Sequence, residues 1–274
     1  MSVSKITIIQ TEKKWYGLGL NKIWQYRELL YFLVWRDIKI RYKQAFLGVI
    51  WAFMQPFTKM VVFSVIFGNL IKINSEGFPY PIFLYAGLLP WEFFSNAIMR
   101  SGDSILSNVN LITKVNFPRL ILPIASIGTV FIDFTISFVL LVGMIFYFHI
   151  ALTNCFIMIG PLILITILLS LGVGILFSAL NTEYRDFRYI LPFLVQIWMY
   201  LTPVIYPVTI IPKNWQWIVY LNPMAGIING YRSAILGKSV DWFQLGISLS
   251  VATSLFIVGV VLFKRIEKYM ADIV

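Results

Sequence analysis

The sequence predicts an all-α membrane protein with six transmembrane helices. An N-terminal amphipathic interface helix precedes them, and re-entrant outer half-helices lie between spans five and six. Three observations carry that expectation. Of 274 residues, 59% are hydrophobic and only 12% charged, whereas a soluble domain carries about 25% charged residues, so a globule this size would lack the charge to cover its surface. The mean hydropathy of +0.82 points the same way. Six apolar stretches, roughly 46–71, 80–100, 119–149, 156–180, 189–207 and 242–263, approach or exceed the length that a spanning helix needs. In lipid each must be helical, because only then does it close its own backbone hydrogen bonds. The apolarity is spread evenly, so residues 1–274 read as a single transmembrane domain, with the spans at 46–263.

The first 22 residues are polar, with no apolar h-region and no small-residue cleavage site, so no signal peptide is expected. Residues 23–44 differ. Ile23, Tyr26, Leu30, Leu33, Val34 and Ile38 recur at three- and four-residue spacing, with Arg27, Arg36, Asp37, Lys39, Arg41 and Lys43 on other faces. Such a helix lies in the membrane interface, and its apolar run is too interrupted to span.

Charge sets the orientation. The chain has 22 Lys and Arg against 12 Asp and Glu. Seventeen of the basic residues fall on one side of the six-span arrangement and four on the other. Cytoplasmic loops are Lys/Arg-rich, so both termini and the loops near 101–118 and 181–188 are expected in the cytoplasm. The basic residues are scattered over short loops, which argues against nucleic-acid binding.

Between spans five and six, residues 202–242 are too apolar for an ordinary loop. Pro203, Pro207, Pro212 and Pro223 divide them, leaving short segments at about 213–221 and 224–236. These read as half-helices of a re-entrant hairpin at 208–237, tolerated only where protein or a water-filled cavity surrounds the backbone. Trp215, Trp217 and Trp242 suit an outer aromatic belt. Gly226 and Gly230 permit close helix approach.

Little catalytic chemistry is available. One cysteine, Cys155, and one histidine, His149, exclude an intrachain disulfide, a cysteine metal cluster and any site needing several histidines. Gly237-Lys238-Ser239 imitates the end of a phosphate-binding loop, but Arg232 stands where that pattern needs glycine. No metal or cofactor is therefore expected in this chain. Lys59, Glu92 and Asp133 fall inside spans, and such charges need partners or water. They read either as structural ion pairs or as a relay. No second carboxylate or histidine lies one turn away to continue a relay, which favours the pairs.

Two aromatic stripes stand out. Phe46, Ile50, Phe53, Phe57, Met60, Ser64 and Phe67 share one helix face at 4-3-4-3-4-3 spacing, with Gln55 and Lys59 opposite; Tyr189, Phe193, Gln196, Tyr200 and Pro203 share another. The stripes serve packing and lipid contact, or they line a pore. A mixed Tyr/Phe/Gln face suits a sugar chain, whose C–H faces lie on rings while its hydroxyls meet polar tips. Phe53, Phe57, Tyr189, Phe193, Gln196 and Tyr200 are the candidate lining. Two further segments read either as solvated loops or as a docking surface. In 104–119, Leu111, Ile112 and Val115 would share a face of a short helix capped by Asn108 or Asn110 and stopped by Pro118. The second segment is NTEYRDFR at 181–188.

RYKQAFLGVIWAFMQP (41–56), NLITKVNFPRLILP (110–123), EYRDFRY (183–189), TPVIYP (202–207) and LNP (221–223) occur in that order. Together they resemble the permease subunit of polysaccharide-export ABC transporters, which export O-antigen, teichoic acid or capsule. The resemblance covers nearly the whole chain. It implies a homodimer in the bacterial inner membrane, two copies of a cytoplasmic ATPase subunit that holds ATP and Mg, and a polymer on an undecaprenyl-type lipid. It implies that the chain is itself no enzyme. The implied coupling surface comprises Asn108, Leu111, Ile112, Lys114, Val115, Phe117 and Arg119, flanked by Arg36, Asp37 and Arg41 and by Glu183, Arg185 and Asp186. Lys114 and Arg119 are expected to pair with acids on the ATPase. The implied outer gate includes Pro207, Trp215, Trp217, Asn222 and Pro223. Two other functions compete: an ABC exporter for a drug or small lipid, and a membrane-embedded sugar or acyl transferase. The transferase needs clustered acids or a partnered histidine, and only Glu183 and Asp186 come close.

Overall fold

The computed structural model describes residues 20–43, 48–151, 153–184 and 186–270. Helices, turns and short loops make up this part of the chain, with no strand among the described residues. The first 19 residues and the start of the first expected span, including Phe46, lie outside the described residues, as does Arg185.

The expected interface helix is two helices, α1 (Leu20–Gln25) and α2 (Arg27–Lys43), separated by a turn at Tyr26. Leu33 is buried in α2, and Leu29, Leu30 and Val34 pack beside it. Tyr26 is exposed, so it leaves the apolar face assigned to it. Trp24, Tyr31, Phe32 and Trp35 are also exposed, and the uncovered side is thus as aromatic as it is basic.

Among the described residues, five helices are long and apolar enough to cross a membrane. They are α3 (Gly48–Phe63) with its π-helical continuation Ser64–Leu70, α4 (Tyr80–Asp103), α6 (Ile121–Tyr147), α7 (Ile159–Glu183, preceded by a 3₁₀ turn from Asn154) and α11 (Trp242–Glu267). A short α5 (Val109–Lys114) lies between α4 and α6. The stretch expected as span five is α8 (Phe187–Leu201), of 15 residues. That is about 22 Å at 1.5 Å per residue, against a hydrocarbon core of about 30 Å. Pro203 is the cause: the residue before a proline is driven from the α region, and Thr202 is extended at φ −100°, ψ 136°.

α4 is the hub. It packs on α6, α7 and α10, with α3 and α8 against it, and residues 82–89 are all buried. α7 and α11 touch backbone to backbone. A Cβ on Gly172 would lie 2.6 Å from the Phe256 nitrogen, and one on Gly259 would lie 2.5 Å from the Gly172 carbonyl oxygen. A second apolar cluster joins α2, α5, α6, α7 and α11 through Leu33, Ile112, Phe117, Ile121, Ala179 and Phe263.

The two short segments between α8 and α11 are α9 (Gln216–Leu221) and α10 (Pro223–Leu236), close to their expected bounds. Asn222 starts α10 by accepting from the Met224 nitrogen at 3.1 Å, with Pro223 in the first turn where its missing N–H is harmless. Gly237, at φ 70°, ends it. α10 is buried along its length, and Gly226 meets Ser248 and the Gln244 backbone of α11 there.

The chain between α8 and α9 has left the helix, so its carbonyls need other donors. Arg232 of α10, only 5% exposed, supplies them. Its guanidinium donates to the carbonyls of Pro203 at 2.8 Å, Val204 at 2.6 Å and Tyr206 at 3.4 Å, and also to Phe83 at 3.3 Å. The Tyr80 hydroxyl donates to the Ile205 carbonyl at 2.8 Å. Four consecutive carbonyls, 203–206, are thus satisfied from α10 and α4. The guanidinium also lies over the Phe83 ring, 3.8 Å from its centroid. Beside this clamp, Trp198 Nε1 donates to Asn222 Oδ1 at 3.0 Å, and Asn222 Nδ2 donates to Thr202 Oγ1 at 2.8 Å. Arg232→Gln should lower stability by about 3 kcal/mol or more, since each buried carbonyl left unmet costs about 1–3 kcal/mol. Thermal unfolding in detergent, followed by size exclusion, measures the loss, and Arg232→Lys should recover only part of it.

Candidate functional site

The segment 104–119 is a junction. Ser104, Leu106–Asn108 in a 3₁₀ turn and then α5 follow α4 directly. The helix ends at Lys114, short of the expected 117, and Val115 is extended. Asn108 occupies the N-cap position, but its side chain does not cap. Instead its amide donates to the Ser104 carbonyl, and its Oδ1 accepts from Arg36 Nη2 at 2.9 Å. Arg36 also pairs with Asp37 at 2.8 Å. The N-terminal helix and the α4–α6 connection are thereby linked. Asn181 of α7 holds the same corner, donating to the Gly102 carbonyl and to Asp103.

The apolar face expected to point outward mostly points inward. Ile112 and Phe117 are buried, and Leu111 is partly covered by the same cluster. A six-residue amphipathic helix buries its apolar side on the nearest apolar surface, which here belongs to its own chain. The outward edge is Asn110, Thr113, Lys114, Val115 and Asn116. Arg119 is also taken within the chain: its backbone N–H donates to Glu267 Oε1 at 2.8 Å and its guanidinium to the Glu267 carbonyl at 2.5 Å, tying the junction to α11. Arg119 thus has part of its donor set engaged within its own chain. Glu183 and Asp186 are exposed at the α7–α8 connection.

The two aromatic stripes differ. On α3, Phe57 and Met60 pack toward the core, and Phe53 stacks on Phe57 with centroids 5.9 Å apart. On α8, Tyr189, Phe193, Gln196 and Tyr200 are all exposed on one face, while Leu191, Val195 and Trp198 hold the other side. In the outer segment Trp215 and Trp217 are exposed, whereas Pro207 and Pro223 are buried and Asn222 is a structural tie.

The intramembrane charges are paired. Lys59 of α3 meets Glu92 of α4 at 2.8 Å. Asp133 of α6 accepts from both Arg41 and Tyr42 of α2. Burial, then the Asp133 hydrogen bond, pushes the Tyr42 hydroxyl up to about 12, so it stays a proton donor at physiological pH. The partners are 33 positions apart for Lys59 and Glu92 and 91 apart for Tyr42 and Asp133, so neither pairing is legible from local spacing. The same holds for Arg232, whose acceptors lie 26 to 149 positions away in the sequence. At the Gly237-Lys238-Ser239 mimic, Gly237 is a helix terminator and Lys238 pairs with Glu76.

Residues 28–236 match the family described as ABC-2 type transporter. The chain is 27% identical over 247 residues to the O-antigen export system permease protein RfbA of Klebsiella pneumoniae, covering 90% of this chain and 95% of that one. It is 31% identical to RfbA of Myxococcus xanthus, over 78% of this chain and 82% of the relative. It is 27% identical to the polysialic acid transport protein KpsM of Escherichia coli, over 86% and 92%.

The inward turn of α5 has a measurable consequence. Ile112→Asp places a carboxylate in an apolar cluster and should destabilise the fold by more than about 3 kcal/mol. Val115→Asp, on the outward edge, should stay within about 0.5 kcal/mol of wild type. Melting temperatures and monodispersity in detergent distinguish the two. Equal destabilisation would mean that α5 is not oriented as described.

Proposed function

The chain belongs to the ABC-2 type transporter family, and from that premise we propose that it is the membrane subunit of an exporter for a lipid-linked polysaccharide. ATP and Mg are held by a separate cytoplasmic ATPase subunit, present in two copies beside a homodimer of this chain. The observation that carries the polymer reading is the exposed Tyr189–Phe193–Gln196–Tyr200 face of α8. Flat rings and an amide in one row offer a sliding polymer many weak, equivalent contacts. The relatives' names, O-antigen export and polysialic acid transport, favour the same class of cargo.

In this reading the protein is a multi-pass protein of the bacterial inner membrane with both termini in the cytoplasm. α8 and the clamped segment after it act together as a sixth span. Residues 208–237 form a re-entrant outer gate, with Trp215 and Trp217 at the interface. ATPase motion arrives at the outward edge of α5, Lys114 and Val115 above all, with Glu183 and Asp186 flanking it.

Two measurements test the proposal. In a Cys155→Ser background, an impermeant thiol reagent applied from outside should label cysteine at Lys213 but not at Ser107 or Asp186; all three positions are exposed, whereas Ser104 and Thr182 are buried and make poor reporters. Lys114→Glu with Val115→Asp should lower polymer export about tenfold while the ATPase still copurifies, because rim charges orient a docking partner more than they hold it. Unchanged export would remove α5 from the coupling route. Alanine at both Tyr189 and Tyr200 should also reduce export without loss of folded protein.

A further inference from the structure

A membrane helix ordinarily offers lipid no free polar group, and α11 follows that rule. Ile257, Val258 and Val261 are uncovered near its middle. Ser250, Thr253 and Ser254 are uncovered too, but each turns its hydroxyl back on the carbonyl four residues earlier. α4 does the reverse. Between Trp91 and Arg100 the residues that are not buried are Glu92, Ser95, Asn96, Met99 and Arg100, of which only the methionine is apolar. Glu92, Asn96 and Arg100 form one row at four-residue spacing. α3 packs alongside and adds Gln55, Thr58 and Lys59 at spacings of three and four. The Lys59–Glu92 contact at 2.8 Å joins the two rows. Glu92 stands midway along α4, and Lys59 midway along α3 with its π-helical continuation. The Lys59 side chain is nevertheless 39% exposed. Gln55, Thr58 and Arg100 have no hydrogen-bond or ion partner among the described residues. Acyl chains can answer none of these groups. A cavity of about 430 Å³, lined by Gln55, Glu92, Asn96 and Arg100 among others, opens beside the row, far more room than one water needs.

We propose that Gln55, Thr58, Lys59, Glu92, Asn96 and Arg100 form the wetted wall of a path through the membrane, along which the sugar part of the cargo passes. Water, not lipid, meets this side of α3 and α4. Hydroxyl, amide and guanidinium groups exchange hydrogen bonds with water and with sugar hydroxyls alike, so a sugar chain displaces that water without leaving donors or acceptors unmet. Lys59 and Glu92 answer each other, which keeps a pair of charges at mid-depth without a fixed counter-ion. The wetting rests only on the chain being embedded in a bilayer. The cargo assignment rests on the export proposal above.

Two measurements on the full chain in its own membrane decide the matter, both in a Cys155→Ser background. The first applies a charged thiol reagent to permeabilised cells. A thiol reacts as its thiolate, which forms in water and not in hydrocarbon, so cysteine at Thr58 or Asn96 should react at least about tenfold faster than cysteine at Ile257. All three positions are exposed, so none of these variants threatens the fold. Reaction at Thr58 and Asn96 as slow as at Ile257 would put lipid or a second protein surface against the row and overturn the proposal. The second measurement reads polymer export in intact cells. Thr58→Leu with Asn96→Leu should lower it about tenfold at equal protein level, through loss of the row's hydrogen bonds. Thr58→Ser with Asn96→Gln should restore most of it. Wild-type export by the double leucine variant overturns the cargo assignment. Export by the Cys155→Ser parent tests the export proposal separately: a parent that moves no polysaccharide sinks that proposal and the cargo assignment together, while the contrast in reactivity still decides the wetting.

Discussion

Lipid offers no hydrogen bonds to a backbone that leaves the helix, and Pro203 makes this chain leave it. Everything at that end of the bundle follows from how the freed carbonyls are met. Arg232 can cap three of them because a guanidinium carries five N–H donors in a rigid plane. Its charge is spread over those carbonyl dipoles and over the Phe83 ring, with no carboxylate among the described residues bonded to it. The same residue that makes the irregular segment possible also fixes α10 against α4. The burial of α10 and the shortness of α8 are therefore two sides of one arrangement.

The same contacts divide the molecule into a tightly packed block and two peripheral helices. α4, α7, α10 and α11 are locked by glycine-mediated backbone contact and by buried side chains. α3 and α8 sit outside that block, each with a largely uncovered face. α8 is anchored at its C-terminal end through Trp198, Thr202 and Asn222, and at its start no side chain caps it. α3 and α8 are thus only loosely committed to the chain's own core.

Much of this could be read without coordinates, and the limits are physical. Long apolar runs announce helices because the bilayer leaves no alternative, and five of the expected six spans stand as long helices. The structural-pair reading of Lys59, Glu92 and Asp133 follows from the cost of an unpaired charge in lipid. The partners themselves could not be named, because contact across 33 or 91 residues is a property of packing. α5 misled for a related reason. Periodicity reveals that Leu111 and Ile112 share an apolar side; it does not reveal whose surface that side covers. The Pro203 stop was visible, but its effect on the reach of α8 becomes clear only when the helix is measured against the bilayer.

The corner around α5 distributes load. Arg36 ties it to α2, Asn181 ties its approach to α7, and the Arg119–Glu267 contact ties its exit to α11. Springs joined in parallel add their stiffness, so a force on α5 is shared among three helices instead of bending one. A load placed on this corner would be spread over α2, α7 and α11 together. No single bond holds the corner, so a substitution that weakens one tie leaves the other two in place.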